Sequence, residues 1–148
     1  MKNVFVFAAL LFFSATEMMA QTQYAVITTI ESIIPAGLGR SRMISNKEDL
    51  NTANFTTKRT DGTSSDMGTV KREDIKIENF EETKLLNFFS ISGINFQNVA
   101  SNDAMVSAKL NEMAVAGWEL AFISTGVESN AGTEDGEGIF VTRYIFKR

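Results

Sequence analysis

Arg40 and Arg42 stand two residues apart, directly after the run Gly37, Leu38, Gly39. On an extended segment that spacing projects both guanidinium groups to one side, and flexible glycine amides can join them around a carboxylate or phosphate. The run lacks the lysine and the serine or threonine of a phosphate-binding loop. Its plainer reading is a glycine turn leading into a charged edge strand. Arg40 and Arg42 are the candidate ligand contacts, for a small anionic ligand or a protein partner.

Four carboxylates, Glu128, Glu134, Asp135 and Glu137, gather around Gly132 and Gly136 in the segment 127–137. Oxygen ligands in that number can hold calcium, but the spacing matches no calcium loop, and a solvated hairpin tip is the expectation. The chain has no histidine and no cysteine. That removes the commonest general base, the Ser-His and Cys-His nucleophile systems, imidazole and thiolate metal sites, and disulfides. Carboxylate pairs can perform glycosidic chemistry when held at a set separation. The adjacent pairs Glu73-Asp74 and Glu81-Glu82 diverge on a helix or strand and read as solvated charge. No catalytic residue, metal or cofactor is expected.

The elements that must position these groups are clearest at 110–148. Val106, Leu110, Met113 and Ala114 recur at helical spacing and predict a helix, started by Ser101, Asn102 and Asp103 and stopped by Gly117. From Trp118 the period becomes two, with Trp118, Leu120 and Phe122 on one face. In the closing strand, Phe140, Tyr144 and Phe146 form the expected core face. Trp118 reads as a core plug.

With those elements in hand, residues 103–148 resemble a family of small bacterial domains of unknown function. The family is marked by a helix ending in GWEL, here Gly117, Trp118, Glu119 and Leu120, and by a last strand of the YxFKR kind, here Tyr144, Phe146, Lys147 and Arg148. Leu110 and Asn111 belong to the same pattern. The earlier stretches IESIIPAGLGRSRMI and GINFQNV are similar to a secreted variant of such domains. The resemblance implies a small α+β fold and no active site.

Upstream, residues 24–34 alternate as a first strand ended by Pro35, and Arg40, Arg42 and Ile44 would share one face of a second. Residues 45–79 form a long polar excursion with turn signals at Asp61-Gly62 and Met67-Gly68. A short helix or turn is expected at 81–86. The apolar stretch 88–96 reads as a core strand or buried loop, and alternatively as an edge that adds a partner strand. The expected fold class is α+β: an antiparallel sheet of about four strands with one main helix on one face. The aromatic core should rest on Phe80, Phe88, Phe89, Phe96, Phe122, Phe140, Phe146 and Trp118.

Residues 1–20 read as a signal peptide. Lys2 opens them, 4–13 are uninterruptedly apolar, and a more polar stretch ends at Ala20. The run is about half the roughly 20 residues a membrane span needs, so cleavage is expected, with the mature chain starting at Gln21 and acting in a periplasmic or extracellular space. Its removal takes one cation, Lys2, and one anion, Glu17, and leaves the net charge of −4 unchanged. One domain, 21–148, fits the remaining length. Mild acidity argues against a nucleic-acid partner, whose phosphates need a basic stripe. These readings converge on a secreted, non-catalytic binding or interaction module. The alternatives are a small carboxylate-dependent enzyme or a subunit of a cell-envelope assembly.

Overall fold

The computed structural model describes residues 21–33, 41–59, 61–128 and 138–148. The signal-peptide reading, the turn through Pro35, Gly37 and Gly39, and Arg40 all lie outside these residues, as do Glu134, Asp135 and Glu137.

Seven strands and two helices are described: β1 Tyr24–Ser32, β2 Arg42–Asn46, α1 Arg72–Ile75, β3 Phe80–Lys84, β4 Phe89–Ser90, β5 Gly93–Ile94, α2 Phe96–Val115, β6 Glu119–Val127 and β7 Ile139–Lys147. Five strands form one antiparallel sheet in the order β3-β2-β1-β7-β6, and β4-β5 is a separate hairpin. The architecture is α+β, as the periodicity predicts. The sheet has five strands where about four were expected, because 80–84 is a strand and the helix or turn placed at 81–86 does not form. There Glu81 and Glu82 point to opposite faces, to Lys47 and Arg42 respectively.

Alternation divides the sheet cleanly. Ala25, Ile27, Thr29 and Glu31 of β1 share a face with Met43 and Ser45 of β2 and with Thr142, Tyr144 and Phe146 of β7. The long helix α2 covers that face. Its Leu110 and Met113 pack with Ala25, Trp118 and Tyr144 against a core of Ile27, Met43, Leu85 and Phe146. The opposite face, hereafter the open face, carries Tyr24, Val26, Thr28 and Ile30, Arg42 and Ile44, and Arg143 and Ile145.

Helix α2 starts at Asn95, whose side chain accepts a hydrogen bond from the Asn98 amide, and not at 101–103 as the capping residues suggested. Those residues are used otherwise. Ser101 Oγ donates back to the Gln97 carbonyl at 2.8 Å, and Asn102 is buried against the loop after β3. The stop is as expected. Gly117 has φ +82°, its N–H reaches the Ala114 carbonyl at 3.0 Å, and the Trp118 N–H reaches Met113 at 2.9 Å. This is the paired-bond cap that closes helices with a left-handed glycine.

A Cβ at Gly117 would meet no atom within 4 Å, so the penalty for substitution is backbone strain alone. Gly117→Val is expected to cost about 1–3 kcal/mol. Gly117→Asn should cost less, because asparagine tolerates the left-handed region. Urea melts of both variants check this, and equal midpoints would show that the cap relaxes.

The strand β6 corrects another expectation. A register shift between Leu120 and Phe122 sets Ala121 out as a bulge, so Leu120 pairs with Phe146 on the helix side while Phe122 pairs with Ile145 on the open side. Leu120 and Phe122 therefore do not share a face. The expected aromatic core shrinks accordingly. Of its eight residues only Phe146 is fully buried, whereas Phe80, Phe96, Phe122 and Phe140 are exposed. Phe88 and Phe140 meet edge to face, with centroids 5.5 Å apart. The stretch 88–96 is neither a core strand nor a buried loop: it forms the β4-β5 hairpin, with Ile91 90% exposed.

The excursion between β2 and β3 holds two 3-10 turns, Thr52–Phe55 and Asp66–Thr69, capped by Asn51 and Ser65. Asp61 Oδ1 accepts from the Thr63 and Ser64 amides, at 3.0 and 2.8 Å, and these bonds hold its carboxyl well below the usual range.

Candidate ligand-binding site

A cavity of about 710 Å³ opens at one end of the open face and wraps the end of the sheet, where Gln23, Ala25 and Trp118 also line it. Its floor is Val26, Thr28 and Ile44, its polar rim is Asn46, Lys47, Glu48 and Asp49, and its far wall is Tyr24, Trp118 and Arg148. The volume lies within the roughly 300–1,000 Å³ of small-molecule sites.

Each wall is placed by a local device. Strand alternation puts Tyr24, Val26 and Thr28 on one face. The rim is folded back where Asn46 Nδ2 donates to the Glu48 carbonyl at 3.0 Å and the Lys47 amide bonds to Asn79. Glu48 also accepts from the Asn79 side chain. Arg148 continues the β1-β7 ladder through paired backbone bonds with Gln23, at 2.9 and 3.1 Å. Its Nε–H donates to Gln23 Oε1 at 2.8 Å, and its guanidinium lies 4.4 Å from the centre of the Trp118 ring. This cation–π contact and the bond to Gln23 anchor a five-donor cation at the cavity wall. Trp118 is thus half core and half cavity wall, not simply a plug.

Of the two arginines singled out in the sequence, Arg40 lies outside the described residues. Arg42 is half-buried on the open face, donates to the Ser41 carbonyl at 3.0 Å and has Glu82 4.0 Å from Nε. It does not line the cavity. Tyr24 and Arg148 were not selected in the sequence as contacts. Arg148 stood out in the sequence only as the end of a YxFKR-like motif, because its pairing with Gln23 spans the whole described chain. Of the loop carboxylates only Glu128 is described. Among the described residues no group of three or more Asp or Glu side chains is placed to hold a metal ion, and no helix is long and apolar enough to cross a membrane.

A second polar cluster lies between α2 and the sheet. Asn102 Oδ1 accepts from the Leu86 amide at 2.8 Å, while its Nδ2 donates to the Leu86 carbonyl at 2.8 Å and to Glu31 Oε1 at 2.9 Å. Burial raises the Glu31 pKa, with the Asn102 bond opposing and the Asp103 charge adding. Burial likewise raises Tyr144, opposed by the Thr29 hydroxyl and reinforced by Glu31 and Asp103. Nearby, Ser41 Oγ receives the Ser32 amide at 2.9 Å and donates to Asn87 Oδ1 at 2.8 Å. Together these bonds tie the loop after β3 to α2 and to the residue before β2, and that residue to the end of β1, which is structural work.

No protein-family model matches the chain, and no curated protein or solved structure was found to be similar to it. Function must therefore be argued from the site.

Proposed function

We propose that the protein is a secreted, non-catalytic binding module whose open-face cavity receives a small ligand or peptide end carrying an apolar part and an anionic group. The observation that carries the reading is the cavity itself. It has Val26 and Ile44 on its floor, an exposed tyrosine and a guanidinium 4.4 Å from the centre of a tryptophan ring. An apolar group would lie on Val26 and Ile44, with the anion toward Arg148. The resemblance of 103–148 to small domains without a known active site agrees with a scaffold role. A carboxylate-dependent enzyme is the weaker reading, because Glu31, whose carboxyl is raised by burial, already serves as an acceptor for a buried asparagine.

The test uses secreted material, whose intact mass should correspond to a start at Gln21. Carboxylates and phosphates with graded apolar tails are titrated into it and followed by amide chemical shifts. Arg148→Gln and Tyr24→Ala should each weaken binding at least about tenfold, which is about 1.4 kcal/mol. If Arg40→Ala/Arg42→Ala abolishes binding while Arg148→Gln retains it, the anion is held at the start of β2. Absence of binding by every probe would remove the small-ligand reading.

A further inference from the structure

The strand β6 is an outer strand of the sheet, and all nine of its residues are exposed. Exposed edges recruit other strands unless charge, proline or brevity prevents it. The opposite edge, β3, is guarded: its FEETK sequence carries Glu81, Glu82 and Lys84. On β6 such devices sit only at the start, in Glu119 and the Ala121 bulge; among the described residues Phe122 to Val127 holds no charge or proline, and Ile123 and Val127 are 46% and 64% exposed.

The directions of the backbone groups along β6 follow from the ladder. Along β7, Arg148 exchanges both of its bonds with Gln23, so residues of even number turn toward β1 and those of odd number toward β6. The Glu128 amide bonds to the Ile139 carbonyl at 3.0 Å, in agreement. Phe122, Ser124, Gly126 and Glu128 are therefore spent on β7, and Ile123, Thr125 and Val127 aim their N–H and C=O groups away from the sheet. Their side chains lie on the helix side.

We propose that β6 is a homodimerisation edge, at which two copies pair antiparallel about a two-fold axis at Thr125. In that register Thr125 meets its own counterpart, and Ile123 meets Val127 of the second copy twice over. Every outward N–H and C=O from Ile123 to Val127 then finds a partner, and the helix-side faces of both sheets become continuous. Two apolar pairs and one threonine pair are favourable cross-strand combinations. Charge fits the same register. Glu128 falls opposite Phe122 of the other copy, and the two Glu128 residues stand about 20 Å apart, beyond a Debye length. A register centred on Ile123 would instead bring the Ala121 bulge against Thr125. One strand's edge is a small contact, so the dimer should be weak and concentration-dependent.

Sedimentation of the mature chain across micromolar to near-millimolar concentration should show a monomer-dimer equilibrium. A residue meets itself only at the axis, so Thr125→Lys and Thr125→Glu should each raise the dissociation constant at least about tenfold through like-charge contact, with melts like the parent. An equimolar mixture of the two variants should dimerise again. A parent that stays monomeric throughout, variants that dimerise like the parent, or a mixture that fails to recover would each overturn the proposal. Retained melts separate these outcomes from simple unfolding.

Discussion

Phe146→Ala should lower stability by about 3–5 kcal/mol, one of the two largest effects expected of any single substitution in this chain. The ring is 1% exposed in a central strand, with Ile27, Met43 and Leu85 around it and α2 above, so deletion leaves a cavity that rigid neighbours cannot close. Phe122→Ala, one strand away and 62% exposed on the open face, should change stability by no more than about 0.5 kcal/mol. Urea midpoints of the two variants decide this. Comparable losses would mean that the open face is covered in solution.

Asn102→Ala is expected to cost about 2–4 kcal/mol. The side chain is 2% exposed and satisfies both backbone groups of Leu86, and each group left without a partner costs about 1–3 kcal/mol, at the low end here because water can reach that loop. Its third bond, to Glu31, gives the effect a pH signature. Because burial raises the Glu31 pKa in the folded state, its contribution is fully present below the unfolded value and is lost as pH rises through the folded one. Glu31→Gln keeps an acceptor for Asn102 without the buried charge. Its stability relative to the parent should therefore climb as pH rises above the ordinary carboxyl value and through the raised one of Glu31. Melts of both proteins at matched pH check the sign, and a flat difference would place Glu31 in solvent.

The parts of this fold that the sequence made readable are those set by local rules. The cap at Gly117, the two faces of β1 and the aromatic face of β7 follow from conformational preference and a period of two. What was misread depended on partners distant in sequence. Asn102 looked like a helix cap because a short amide suits that position, and only the loop at Leu86 shows that it is a clamp inside the helix. The Ala121 bulge is invisible in an alternating pattern, and it turns Phe122 away from the core. Phe80 and Phe122 looked like core residues because aromatic side chains bury well, yet the sheet face they share has no second layer among the described residues. The candidate site was missed because its residues are distant in sequence: Tyr24, Trp118 and Arg148 meet only when β1, β6 and β7 are paired.

The strand order has a consequence for how this molecule is made. The strands β1, β2 and β3 are neighbours in the chain, as are β6 and β7, but the middle of the sheet is the pairing of β1 with β7, in which Tyr24 faces Lys147. Closing so long a loop is slow relative to forming a hairpin. While the polypeptide is being synthesised from its N-terminus, β1 can gain β2 but must wait for the final residues before its other side is occupied. Until then Ile27 and Ala25 have no Phe146 to pack against. The nascent chain is thereby kept from completing its core, and a chain ending before Ile139 should be degraded rather than accumulate.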